Sequence, residues 1–446
     1  PPFMANAPSR TSFIVGSLNY KRHHFGGGKV SPAKTEGLLK SSRQHKIAVS
    51  YVVYYLLGRL RNLQNMGVEI MSARTFTLLA VAILTTITIV NTGAFADVNQ
   101  QAEPNKPPFR LAIAGLTHDH VTLLLRELPR RKDITLVGIA EPNAQLAAKY
   151  VTRYHLPQSI IYTDLDKMLD ETRPQAVVAH TSTFDHLQVV QSCAAHHLDV
   201  MMEKPLAVSI GHAAAMAEAA KKAGTRVLVN YQSTWEPVNT LLRDMVIEQK
   251  AVGEIRKIVF YKGHSGPKEI GCSPEFFNWL TDPNLNGGGA LFDFGCYGAN
   301  LTTWFLNNQQ PLSITAVTRQ TKPAIYTKVD DDATVIITYP QTQVVIMASW
   351  SWPYGKDSIE IYGSKGSIQT IDGRNAILHI NGKPEQKITA KPIESPYSDS
   401  LTYLAAVVNG GIKPQETASL ENNMIVTEIL CAARRSAQSQ STIKLR

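Results

Sequence analysis

FRLAIAGLTHDH, residues 109–120, is a short apolar run that ends on Gly115 and passes into a polar, histidine-bearing stretch. Such a run is the pattern of a buried parallel strand. Apolar periodicity over His120–Leu128 continues it as a helix. The unit then repeats. Strands are predicted at Asp133–Pro142, Ile160–Asp164, Pro174–Ser182, Leu198–Pro205 and Thr225–Gln232, and helices from Asn143 and at Leu165–Glu171, Asp185–His196 and Ile210–Ala223. Strands alternating with helices imply an α/β fold with a doubly wound parallel sheet, whose ligands sit beyond the carboxyl ends of the strands.

The first strand-to-helix turn, Gly115-Leu116-Thr117-His118-Asp119-His120, has the context of a dinucleotide fingerprint but not its full pattern. A G-x-G-x-x-G run would carry glycine at 117 and 120, where Thr117 and His120 stand. Gly115 permits the tight turn. Thr117 narrows the approach of a pyrophosphate to the backbone, but helix N-terminal amides and a Thr hydroxyl still offer donors to phosphate. Glu141 closes the second strand. An acid there suits a ribose 2′-hydroxyl and repels a 2′-phosphate, which favours NAD over NADP.

The chain has 446 residues, 44% hydrophobic and 18% charged, which is a globular rather than a disordered composition. Its net charge of +9 is unevenly spread: residues 1–70 hold ten Lys/Arg against two acids, whereas 97–446 balance 34 against 34. A nucleic-acid partner is therefore not expected. Residues 71–96 (MSARTFTLLAVAILTTITIVNTGAFA) have a short basic start, an apolar run from about Phe76 to Val90, and Ala94-Phe95-Ala96 before Asp97. This is the layout of a secretory signal peptide, with a run too short to span a bilayer. A single Arg74 fits a general secretory route rather than a twin-arginine one. Residues 1–70 are accordingly read as a non-native or disordered extension, 71–96 as a signal peptide and 97–108 as a linker, with a secreted or periplasmic product that has no stable membrane span. The four cysteines, Cys193, Cys272, Cys296 and Cys431, include no C-x-x-C pair; they read as small buried residues, with a Cys272–Cys296 bridge left open.

From LDVMMEKPLAVS onward the sequence becomes more specific. The Glu203-Lys204-Pro205 strand end resembles the Gfo/Idh/MocA family of oxidoreductases. AHTSTFDH (Ala179–His186), LNGGGALFDFGCYGANLTTWFL (Leu285–Leu306), EIYGSKGSI (Glu360–Ile368) and the layout of Asp399–Arg446 resemble that family too. The resemblance spans roughly Phe109–Arg446. It implies a Rossmann NAD(P)-binding domain over 109–232, then an α/β substrate and dimerisation domain over 233–446 built on a large, mostly antiparallel sheet. Strand-rich segments at Arg256–Tyr261, Ser313–Thr318, Ala333–Tyr339, Gln343–Trp350, Ser358–Tyr362 and Ser367–Thr370 agree with this independently.

By the same resemblance Lys204 lies near the nicotinamide and the reacting carbon, where its ammonium polarises a carbonyl and burial lowers its pKa. Asp293 and Tyr297, four residues apart and so on one helix face, take the place of the family's Asp/His pair. Tyr297 is the candidate acid/base, its phenol pulled down by Lys204, with Asp293 orienting substrate or Lys204. Gly115, Leu116, Thr117, His118, Glu141, Thr181, His186 and Glu203 are the candidate cofactor residues, and His186 orients a loop. No metal is expected at His118, His120 or His180. Trp235, Trp350 and Trp352 read as packing residues. The function implied is an exported oxidoreductase moving a hydride between tightly held NAD and a sugar or cyclitol, in a homo-oligomer formed through the second sheet. The alternatives are an NAD-dependent glycosidase without net redox change, or a carbohydrate-binding protein with a degenerate nucleotide site.

Overall fold

The computed structural model describes residues 107–414 and 417–445. The expected extension (1–70), the signal peptide (71–96) and most of the linker lie outside the described residues. Among the described residues no helix is long and apolar enough to cross a membrane.

Six strands form the first sheet: β1 (Phe109–Ala114), β2 (Ile134–Ala140), β3 (Ile161–Tyr162), β4 (Ala176–Ala179), β5 (Asp199–Glu203) and β6 (Val227–Asn230). Their order is β3-β2-β1-β4-β5-β6, and every pairing is parallel. The order reverses between β1 and β4, which places the crevice there, at the carboxyl ends. β1 is buried on both faces: Leu111 and Ile113 enter one core, Ala112 and Ala114 the other. Small residues on the second face admit helices close to the sheet. The helix Ile210–Ala223 shows how sharply local signals set its ends. Ser209 accepts from the His212 amide at one end, and Gly224 takes a left-handed conformation at the other. A cap of this kind contributes about 1 kcal/mol.

The second sheet contains β7 (Ile255–Gly263), β8 (Ser313–Arg319), β9 (Asp332–Thr338), β10 (Gln343–Ser349), β11 (Lys356–Gly363), β12 (Gly366–Thr370), β13 (Asn375–Ile380), β14 (Gln386–Thr389) and β15 (Ile443–Lys444). The order is β14-β13-β12-β11-β7-β10-β9-β8-β15. β7 and β10 pair in parallel; the other pairings are antiparallel. The fold class read from sequence is therefore the fold observed. β13, β14 and β15 were not foreseen: β14 is nearly all exposed and β15 has two residues, so neither has a period to read.

The helix Gly295–Phe305 is almost wholly buried and packs on β7, β10 and the helix Leu420–Ser439. Gly289, just before the short helix Ala290–Asp293 that leads into it, has to be glycine, because a Cβ there would lie 1.8 Å from the Asp330 carbonyl oxygen. The helix Ser400–Val408 returns to the first sheet, where Leu401, Leu404 and Val407 share a core with Leu111 and Ile113. All four cysteines are free, so the structure has no Cys272–Cys296 bridge; Cys272 is half-buried and the other three are buried.

Candidate active site

The turn after β1 is bound on several sides. Gly115 has φ +80°, and a Cβ there would lie 2.5 Å from Thr181 Cγ2 and 3.1 Å from the His180 carbonyl oxygen. Glycine is thus required both for the backbone conformation and for the close approach to the end of β4. The Leu116 amide donates to Glu141 Oε2 at 2.8 Å, the His118 amide to the His180 carbonyl at 3.0 Å, and the His120 amide to His118 Nδ1 at 3.2 Å. Among the described residues the Thr117 and Asp119 amides have no hydrogen-bond partner, which leaves two donors in the turn. Across it lies a segment of the second half of the chain. Trp279 Nε1 donates to the Thr117 carbonyl at 3.2 Å, and the Ser273 amide donates to Asp119 Oδ2 at 2.8 Å. His118 is buried against Phe276 and Trp279.

Glu141 is where the sequence placed it, but it is buried and already engaged: Oε2 accepts from Leu116 and Oε1 from the Asn143 amide at 2.9 Å. Burial outweighs these bonds and holds its pKa above the usual carboxylate value. Thr181 lies beside Gly115, with its hydroxyl donating to the Ser182 carbonyl. His186 begins a helix, and its Nδ1 lies 3.1 Å from the Leu206 carbonyl, so it holds the loop that follows Lys204.

Glu203 sits at the end of β5 with His120 Nδ1 2.9 Å from Oε2, while Asn230 donates to Oε1 at 2.9 Å. Trp235 continues the chain by donating to Asn230 Oδ1. Burial opposes ionisation of Glu203, but His120, with His118 and His180, outweighs it and holds the carboxyl below the usual range. His118, His120 and Glu203 bring ligand-type atoms within 4.8 Å of one another, the one such cluster among the described residues. His118 Nδ1 and both Glu203 oxygens already have protein partners.

These imidazoles make stability pH-dependent. Burial pushes His180 down from 6.5 to about 4, and lowers His118 and His186 as well. Between those two values only the unfolded chain takes up the proton, so stability falls as pH falls through the window. His180 alone would contribute a loss on the order of 3 kcal/mol. Thermal unfolding should show Tm dropping steadily below neutral pH, and the slope should flatten in His180→Leu. An unchanged slope in that variant would assign the effect elsewhere.

The chemistry-bearing groups meet at a cavity of about 570 Å³, bordered by Lys204, Asp293, Tyr297, His120, Lys262 and His264. Lys204 and Asp293 form a buried ion pair through Asp293 Oδ1, and Lys204 also donates to the Asp293 carbonyl at 3.3 Å. Trp350, fully buried after β10, donates from Nε1 to Asp293 Oδ2 at 2.9 Å. The Lys204 ammonium lies 5.3 Å from the Tyr297 ring centre and Lys262 lies 4.4 Å from it. Tyr231 meets that ring edge-on at 5.5 Å.

Three sequence expectations need correction. Burial does act against the Lys204 charge, but the Asp293 carboxylate outweighs it, and the pKa is raised rather than lowered. Burial likewise dominates at Tyr297, where the nearby ammonium fails to offset it and the phenol stays above its ordinary value. The physical reason is the ion pair, which spends the Lys204 charge on Asp293. At Asp293 burial opposes ionisation, yet Lys204 prevails and holds its pKa low. A third correction is geometric. Asp293 and Tyr297 are not on one continuous helix: Asp293 ends Ala290–Asp293, and Tyr297 lies in the helix that starts at Gly295. Both nevertheless border the cavity.

Lys262 and His264 went unassigned in the sequence, and Trp350 was read only as a packing residue. Lys262 had a signal: with Ile258 and Phe260 it lies on the inward face of β7, and a cation there is unusual. It pairs with Asp357. Trp350 gave none, because its bond to Asp293 depends on how β10 packs.

A parallel nucleotide-type sheet joined to a large antiparallel sheet, with an ammonium, a carboxylate and a phenol on one cavity, defines a two-domain NAD-binding oxidoreductase. Residues 109–231 match the family model described as an oxidoreductase family with an NAD-binding Rossmann fold, and residues 242–369 match the GFO/IDH/MocA C-terminal domain. The chain belongs to the Gfo/Idh/MocA oxidoreductase family. It is 25% identical over 328 residues to a trans-1,2-dihydrobenzene-1,2-diol dehydrogenase of Xenopus tropicalis, covering 71% of this chain and 94% of that protein. Its fold is similar to an aldose-aldose oxidoreductase of Caulobacter crescentus complexed with glycerol (21% identity, TM-score 0.64, 76% of this chain and 100% of that one). It is also similar to an inositol dehydrogenase homolog of Azotobacter vinelandii complexed with NAD+ (18% identity, TM-score 0.65, 76% and 97%).

Proposed function

We propose that the protein is an exported dehydrogenase of a sugar or cyclitol that holds NAD tightly and uses Lys204, Asp293 and Tyr297 on the substrate. The observation that carries this reading is the convergence of those three side chains on one cavity at the carboxyl end of the first sheet. The turn fits a dinucleotide in part: Gly115 makes the close approach, and the Thr117 and Asp119 amides are unspent. Gly115, Leu116, Thr117, His118, Glu141, Thr181, His186 and Glu203 would hold the cofactor. A bound nicotinamide supplies the hydride donor or acceptor.

The remaining work falls to the chain itself. The Lys204 ammonium, fixed by Asp293, donates to the substrate oxygen and stabilises negative charge there. Trp350 keeps Asp293 from turning away. Tyr297, protonated at rest, gives the proton when a carbonyl is reduced; in the reverse direction it acts as the phenolate, formed by releasing that proton to solvent, and takes one from the alcohol being oxidised. Support for a polyol substrate comes from the relatives: a diol dehydrogenase, an aldose oxidoreductase and an inositol dehydrogenase homolog. Screening hexoses and cyclitols for nicotinamide absorbance in the loaded protein tests it; no change with any of them would count against it.

NAD should bind more tightly than NADP, because the engaged Glu141 carboxylate repels a 2′-phosphate. Glu141→Gln keeps the acceptor for Leu116 and should narrow the gap about ten-fold. Tighter NADP binding in the unmodified protein would show that this acid does not read the ribose. Export rests on residues 71–96, and intact mass of secreted material should place the first residue at Asp97. A mass retaining 71–96 would exclude cleavage.

A further inference from the structure

A second, smaller chamber of about 180 Å³ adjoins the cavity, and Lys262, Tyr297 and Asp357 border both. Its polar lining includes Ser233, Glu236 and Asn239, none of which the chemistry above uses. Asn239 Nδ2 donates to the Ser233 carbonyl at 2.8 Å and to Glu236 Oε2 at 3.4 Å. That leaves Asn239 Oδ1 and Ser233 Oγ without a partner among the described residues, though the two residues are 2% and 4% exposed. Glu236, Asp357, Thr370 and Asp372 put further polar groups on the chamber wall, a lining that suits a ligand with hydroxyls. Val238, Phe260 and Ile359 add apolar wall for the C–H face of a ring. Glu236 and Asp357 face the single cation Lys262, with exposed Asp372 beside them, so the chamber disfavours an anionic group.

We propose that this chamber is a second sugar subsite and that the substrate is a neutral two-ring glycoside, with the reacting ring beside Lys204 and Tyr297 and its neighbour in the chamber. The inference rests on the sugar reading above. One ring fills only the main cavity; the second ring adds the Ser233, Glu236 and Asn239 contacts, with the junction at the Lys262–Asp357 pair.

The test is calorimetric titration of the NAD-loaded protein with glucose, cellobiose, maltose and lactose. At least one disaccharide should bind about ten-fold more tightly than glucose. Ser233→Ala and Glu236→Gln, checked for unchanged Tm, should each weaken that disaccharide about ten-fold and leave glucose within about two-fold. Disaccharides no tighter than glucose, variants that weaken both sugars alike, or no binding of any of the four would overturn the subsite. Nicotinamide absorbance in the same samples separates the two claims: selective binding without reduction keeps the subsite and removes the dehydrogenase reading.

Discussion

Lys204→Met should lower turnover about 10²–10³-fold, the scale for loss of one preorganised electrostatic donor. The methionine keeps most of the stem volume and removes the charge. The structure adds a second consequence. Lys204 is the counter-ion of buried Asp293, and stranding one partner of such a pair costs about 3–5 kcal/mol. Asp293, with a depressed pKa, contributes stability that is present above its unfolded value and lost as pH falls through its folded one. Lys204, with a raised pKa, contributes stability below its unfolded value that is lost as pH rises through its folded one. The pair therefore stabilises across neutral pH, and Lys204→Met should unfold more easily there. Adding Asp293→Asn removes the stranded charge and should recover much of the Tm without recovering turnover. Recovery of both together would mean that Lys204 acts only on folding.

Tyr297→Phe removes one oxygen and leaves the ring against Tyr231 and Lys262. Turnover should fall about 10²–10⁴-fold, the range for one general acid or base. Stability and nucleotide affinity should hardly change, because packing is kept. Burial holds the Tyr297 phenol above its ordinary value, so it is protonated throughout the neutral range. Carbonyl reduction should accordingly stay nearly flat with pH until well into the alkaline region, and the alkaline fall should vanish in the variant. A phenylalanine variant with near-normal rate and the same alkaline fall would move the proton to another group, with His264 and His120, which border the same cavity, the alternatives.

Much of this was legible in the chain. The run Leu111–Ala114 with Gly115 fixes a buried strand and a tight turn, because both demands act locally. Glu203-Lys204 at the end of β5 and Asp293 with Tyr297 were readable as motifs, and the structure brings Lys204, Asp293 and Tyr297 to one cavity. What was not legible depends on pairing between distant segments. Trp279 covers the turn at Thr117 from 162 residues away, and Trp350 steadies Asp293 from 57 residues away. The direction of the Lys204 and Tyr297 shifts was misread for the same reason. It turns on whether the ammonium meets Asp293 before it meets the phenol, and no spacing in the sequence decides that. Glu141 shows the converse: its position was read correctly, whereas its engagement with the Leu116 amide is a matter of side-chain packing.

The central claim is that this turn, despite Thr117 and His120, holds a nicotinamide dinucleotide for chemistry at Lys204 and Tyr297. Denaturing mass spectrometry of the purified protein, incubated with NAD and freed of excess by gel filtration, tests it most directly. The expected result is nucleotide released in stoichiometric amount from the parent chain and equally from Tyr297→Phe. Protein that emerges without nucleotide, and shows no saturable binding of NAD or NADP in titration, would contradict it.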